Sequence, residues 1–189
     1  MPYFIAYALL LATLTLHSAG AVAADKKKGA SVAAITIEAD QMQYDNKSQT
    51  NVFSGNVVLI RGGFEIRAQK LELRQDASGN QFAKATGSPA TFKRRQPGKP
   101  GTVEGSGREL RYTDSSQELQ ILKGATLRRV NGGKVSDEVH GAKIVYQGSK
   151  DYFTVIGGKQ GRSTANPSGR VRVVIQPRSS QPGESAPLK

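Results

Sequence analysis

The 189-residue chain carries 27 Lys and Arg against 15 Asp and Glu, a formal charge of +12 that points to an anionic partner such as nucleic acid, phospholipid or phosphorylated glycolipid. It has no Cys, which excludes disulfides, thiolate metal sites and Cys nucleophiles and leaves the core to hold by packing alone. The length suits one domain with a real core and is too short for two large ones.

Residues 1–23 read as a secretory signal peptide. The apolar stretch FIAYALLLATLTL is too short to span a bilayer comfortably, and small residues follow it, with Ala21-Val22-Ala23 as the A-x-A site and cleavage before Ala24. The leading MPYF departs from the usual pattern in having no Lys or Arg. Residues 24–33 (ADKKKGASVA) and 177–189, at the Pro/Ser-rich end, are polar flanks that cannot bury enough apolar surface to order themselves and are expected as tails.

Residues 34–176 read as one all-β domain with no significant helix, because apolar residues alternate instead of recurring at helical spacing and Gly interrupts every long run. The pattern Ala39-x-x-Met42-x-Tyr44 returns as Ala68-x-x-Leu71-x-Leu73, Gly107-x-x-Leu110-x-Tyr112 and Gly141-x-x-Ile144-x-Tyr146, at intervals averaging about 34 residues. Each copy is followed by a turn-rich piece (YDNKSQTN, LRQDASGN, YTDSSQE, YQGSKD) and then by Gly55, Gly87, Gly124 or Gly157. The unit is therefore a hairpin used four times, and Gly at matching places inside strands signals a bend, a bulge or a close approach of another chain.

Period-2 alternation assigns the faces. Phe53, Gly55, Val57 and Leu59 point one way and Ser54, Asn56, Val58 and Ile60 the other; Phe64, Ile66 and Ala68 share a face, which Leu71 and Leu73 continue one residue beyond an offset at AQK. Stacked hairpins of this kind give two antiparallel sheets with apolar inner and charged outer faces. Arg61 and Lys93 fall on the polar phase, and the clusters Lys93-Arg94-Arg95 and Leu127-Arg128-Arg129 read as parts of a solvated sheet face.

Catalytic and metal chemistry find little support. Of two histidines, His17 lies in the signal and His140 stands in DEVHGAK, where Asp137-Glu138-x-His140 offers ligand types without a second His; there is no Gly-x-Ser-x-Gly elbow, and Glu104-Gly105-Ser106-Gly107 lacks the Lys and following helix of a phosphate loop. No enzyme activity, metal or cofactor is expected. Nucleic acid is also disfavoured, because Phe53, Phe64, Phe92, Tyr112 and Phe153 lie on the apolar phase instead of interleaving with exposed cations.

The segments AITIEADQ (34–41), FSGNV (53–57), GSPATF (87–92) and Glu104-Gly105 leading into Leu110-Arg111-Tyr112 resemble the OstA-like domain family of periplasmic lipopolysaccharide-transport proteins, and the resemblance spans roughly 34–175. It implies a V-shaped antiparallel β-jellyroll that shields the lipid A acyl chains of lipopolysaccharide in an apolar groove. By similarity Ile35, Ile37, Phe92 and Tyr112 line that groove, and Phe53 and Phe64, on the same apolar phase, are expected beside them. The resemblance also implies a periplasmic location, an LptC-like inner-membrane partner at the N-terminal edge, an LptD-like outer-membrane partner at the C-terminal edge, and head-to-tail self-association through AAITIEA and GRVRVVIQP. The alternative is a secreted β-sandwich adaptor that binds protein or polysaccharide without carrying lipid.

Overall fold

A computed structural model describes residues 34–176 except 97 and 99; the expected signal peptide and both expected tails lie outside the described residues. Ten strands follow in chain order: β1 Ile35–Glu38, β2 Gln41–Asp45, β3 Thr50–Arg61, β4 Phe64–Gln75, β5 Gln81–Arg95, β6 Thr102–Thr113, β7 Glu118–Asn131, β8 Lys134–Gln147, β9 Tyr152–Ile156 and β10 Arg172–Ile175. All pairings are antiparallel. They form one open sheet in the order β1-β3-β4-β5-β6-β7-β8-β10, with β2 also on β3 and β9 also on β8.

The six central strands are 12 to 15 residues long, about 40 Å or more when extended, and none runs straight. The pairing register slips between Ser54 and Val57, Arg67 and Lys70, Thr86 and Ala90, Ser106 and Glu109, and Leu122 and Ala125, so that one line of bulges crosses the sheet. Along this line the sheet folds over. One layer holds β1, β10 and the strand halves ending at Arg61, Arg95 and Asn131; the other holds β2, β9 and the halves running into the turns at 46–49, 76–80, 114–117 and 148–151. Rings on non-adjacent strands meet across the fold, Phe64 with Tyr112 at 5.4 Å and Phe92 with Tyr146 at 6.1 Å.

Local chemistry sets the bend. At Gly55 the backbone takes φ 80°, which suits glycine, and a Cβ there would lie 2.2 Å from the Asp40 carboxylate. Asp40 links β1 to β2 across the bend, its N–H donating to the Gly55 carbonyl at 3.0 Å and its carboxylate accepting from Asn56 Nδ2 at 2.9 Å. Gly105 serves a different need: a Cβ there would sit 2.6 Å from Ile121 of the opposite layer and from the Phe92 ring. Between the layers Val57, Ile66, Leu71, Leu110, Ile121 and Ile144 are almost fully buried. Each such side chain contributes about 1.5–3 kcal/mol by leaving water.

The all-β antiparallel class expected from alternation is the observed one, and the AQK offset is the β4 bulge. The expectation that the stacked hairpins form two sheets is corrected to one sheet folded over. The four turn-rich pieces do join β2 to β3, β4 to β5, β6 to β7 and β8 to β9, yet each long strand serves both layers. Alternation cannot distinguish two sheets from one sheet folded over, because both bury every second residue. Gly157 follows β9 instead of interrupting a strand, and the backbone of Val171 passes 3.0 Å from where its Cβ would be.

Candidate functional site

Directly paired residues on neighbouring strands share a face, so the registers can be read as rows. In the first layer a deep row runs through Ile37, Leu59, Ile66, Phe92, Gly105 and Leu127 and carries no charge. Two residues nearer the strand ends, the next row on the same face is Ile35, Arg61, Phe64, Arg94, Val103 and Arg129, so that arginine alternates with apolar side chains on β3, β5 and β7. Facing it from the second layer are Leu73, Ala83, Tyr112, Leu119 and Tyr146.

Between these rows lies a cavity of about 1090 Å³, with Ile35, Leu59, Phe64, Ile66, Leu73 and Tyr112 among its apolar lining. That is slightly above the usual range of about 300–1,000 Å³ for small-molecule sites. Its charged lining is Arg61, Arg74, Arg94 and Arg95 against Asp76 and Asp114, an excess of two positive charges. At the mouth Arg61 Nη1 donates to Asp114 Oδ1 at 2.7 Å, and the Tyr112 hydroxyl donates to the same oxygen at 3.3 Å. Further along, Arg129 Nη2 donates to Asp151 Oδ2 at 3.4 Å and the Tyr146 hydroxyl to Asp151 Oδ1 at 3.5 Å. Arg94 also reaches across, its guanidinium lying against Gly148 in the β8–β9 turn.

Burial first, then the Asp114 carboxylate, pushes the Tyr112 hydroxyl above its ordinary 10.0, and burial does the same at Tyr146 against the opposing charge of Arg94. Both tyrosines therefore keep their protons at neutral pH and act as donors at the edge of an apolar space.

The expected groove residues divide. Ile35, Phe64 and Tyr112 line the cavity. Phe92 is 2% exposed and packed between Phe64, 5.8 Å away, and Tyr146, and it lies beneath the lining; Ile37 and Phe53 are partly buried against the core and outside the cavity lining. Arg61 corrects the polar-phase expectation, because it lies two residues beyond Leu59 and faces inward as Leu59 does. The basic clusters split in the same way. Arg94 and Arg129 belong to the inner rim, whereas Lys93 and Arg128 point outward and pair with Glu104 at 3.4 and 2.9 Å. The signal for this was present as Leu59-x-Arg61, Phe92-x-Arg94 and Leu127-x-Arg129, in which each arginine keeps the phase of a core residue. Asp114 and Asp151 lie in or beside turns and carried no such mark.

His140 is buried on the outer side, with Nε2 2.7 Å from Glu138 Oε1 and Nδ1 3.2 Å from Thr126 Oγ1. Asp137, one residue from Glu138 on the strand, lies on the other face, and among the described residues no three His, Asp or Glu side chains are grouped to hold a metal ion.

An open antiparallel sheet folded over a large cavity of mixed apolar and charged lining, beside a row in which arginines alternate with apolar side chains, defines a β-sheet protein with an internal cavity between its two layers. The chain belongs to the family described as LptA/(LptD N-terminal domain) LPS transport protein, whose profile matches residues 36–152. It is 24% identical over 145 residues to the lipopolysaccharide export system protein LptH of Pseudomonas aeruginosa, covering 76% of this chain and 79% of that protein. It is 30% identical over 115 residues to the lipopolysaccharide export system protein LptA of Escherichia coli, covering 59% of this chain and 58% of that protein. The fold matches the crystal structure of LptH, described as the LptA-homologous periplasmic component of the lipopolysaccharide transport device of Pseudomonas aeruginosa, with a TM-score of 0.65 and 23% identity over 77% of this chain and 96% of that one.

Proposed function

We propose that the protein works in the periplasm as a lipopolysaccharide carrier, shielding lipid A acyl chains between its two layers and bridging inner- and outer-membrane parts of an export machinery. The observation that carries this reading is the cavity of about 1090 Å³ between apolar inner faces. Each CH₂ moved from water into such a space is stabilised by about 0.8 kcal/mol, so a long acyl chain needs a continuous sheltered path to cross an aqueous compartment. The expected signal peptide, the family and its periplasmic relatives support the location.

The edges support the bridging part. Among the described residues β1 and β10 each pair on one side only, and Ile35, Val173 and Ile175 on them are exposed. An unpaired strand edge accepts another strand, and joining two unlike edges is a heterologous contact that extends instead of closing. An LptC-like partner belongs at β1, an LptD-like partner at β10, and copies of this chain join head to tail between them, so that the apolar rows run on from one subunit to the next.

The test is photo-crosslinking in cells. Probes at Ile35, Phe64 and Tyr112 should capture lipopolysaccharide, and a probe at Lys93 on the outer face should not. Equal capture at all four positions would mean surface adhesion and end the carrier reading.

A further inference from the structure

The rim row poses a question that packing does not answer. Arg61, Arg94 and Arg129 sit on β3, β5 and β7, which are interior strands, so they are not charges placed to blunt a sheet edge. Two of them make partly exposed ion pairs between the layers, Arg61 with Asp114 at the cavity mouth and Arg129 with Asp151 further along the row, outside the cavity lining. Pairs of that kind contribute little to stability. Guanidinium groups are, however, suited to bind phosphate oxygens two at a time.

Spacing adds a second observation. Successive arginines of the row are two strands apart, which sets their backbones about 10 Å from one another, and the side chain between each pair is apolar, Phe64 or Val103. A rim built in this way can hold two anionic groups at separate points while an apolar tail descends past Phe64 and Tyr112 into the cavity.

We infer that Arg61, Arg94 and Arg129 form an anion-reading row that selects amphiphiles bearing two phosphates, with Asp114 and Asp151 holding the outer two guanidiniums between the layers until phosphate takes their place. This rests on the carrier reading above and adds a specificity to it. No covalent step is involved: the arginines exchange carboxylate oxygens for phosphate oxygens, and the freed carboxylates turn to water.

The test uses the mature protein with a fluorescent fatty acid in its cavity, displaced by diphosphoryl lipid A, monophosphoryl lipid A or an uncharged dialkyl glycolipid. Wild type should bind the diphosphoryl form about tenfold more tightly than the monophosphoryl form, the scale of one lost charge-assisted hydrogen bond. Arg94→Gln, with unchanged melting, should bring those two within about twofold, weakening the diphosphoryl form by clearly more than it changes the uncharged glycolipid. If wild-type protein binds all three within about twofold, lipid is carried without phosphate being read, and the inference falls while the carrier reading stands. Displacement by none of them fails the carrier reading and the rim together. Inorganic phosphate, lacking a tail, should not compete at the same concentration; equal competition would mark a site for soluble anions and overturn the inference.

Discussion

Arg61 and Asp114 are 53 residues apart in sequence, yet the guanidinium of one donates to the carboxylate of the other at 2.7 Å. The contact joins the end of β3 in the first layer to the β6–β7 turn in the second. It closes part of the cavity mouth, where Tyr112 shares the same carboxylate oxygen.

Asp114→Asn should therefore change opening more than stability. The pair is partly exposed, so its loss should cost about 1 kcal/mol or less in chemical denaturation. Hydrogen exchange at residues 62–64 and 114–117 should quicken, because the two strand ends are no longer tied. A loss of several kcal/mol would show that the pair is a main support of the fold.

Gly105→Val should destabilise by about 1–3 kcal/mol, the usual cost of overpacking. Its side chain would enter the space held by Ile121 and the Phe92 ring, which belong to opposite layers. Urea unfolding measures this. An unchanged midpoint would mean that the layers are not in contact there.

Gly55 and Gly124 both adopt a left-handed φ, 80° and 79°, but only Gly55 has a neighbour in the path of a Cβ. Gly124→Ala should cost about 1 kcal/mol of backbone strain. Gly55→Ala should cost clearly more, since Asp40 must also leave its place between β1 and β2. Equal melting temperatures for the two variants would show that the Asp40 latch contributes nothing.

Acid should weaken the protein through Glu109. A hydrogen bond from Lys123 at 2.9 Å, followed by those from Arg111, outweighs burial and holds this carboxyl below its ordinary 4.5. The folded state thus binds fewer protons than the unfolded one, so this stabilisation is fully present above about pH 4.5 and is lost as pH falls through the lowered value. Glu109→Gln should flatten the fall in melting temperature in that window; parallel curves for wild type and variant would exclude the role.

At the C-terminal edge, Ile175 is 72% exposed on a strand that, among the described residues, is paired on one side only. On the proposed head-to-tail joining through this edge, concentration-dependent oligomers are expected in light scattering, and Ile175→Lys should shorten them while the monomer keeps its circular-dichroism spectrum. Oligomers of unchanged length would place self-association elsewhere.

The sequence by itself determined the strands, the turns and even the phase slip at Gln69–Lys70, because each follows from backbone chemistry over a few residues: alternation with a period of two, Asp, Asn and Gly in turns, and an extra residue at a bulge. It also marked Phe64 and Tyr112 as inward. What it left open was whether apolar residues of like phase form two sheets or one folded sheet, and therefore which of them border empty space. Phe92 and Phe64 look alike in sequence, yet the rings of Phe64 and Tyr146 on either side bury Phe92 while Phe64 lines the cavity. Arg61 and Lys93 look alike too. Which one faces inward is fixed by local phase, but whether an inward arginine finds a partner depends on Asp114 arriving from another layer. Only the tertiary structure decides that, because the line of bulges, acting together on six strands, brings the two rims face to face.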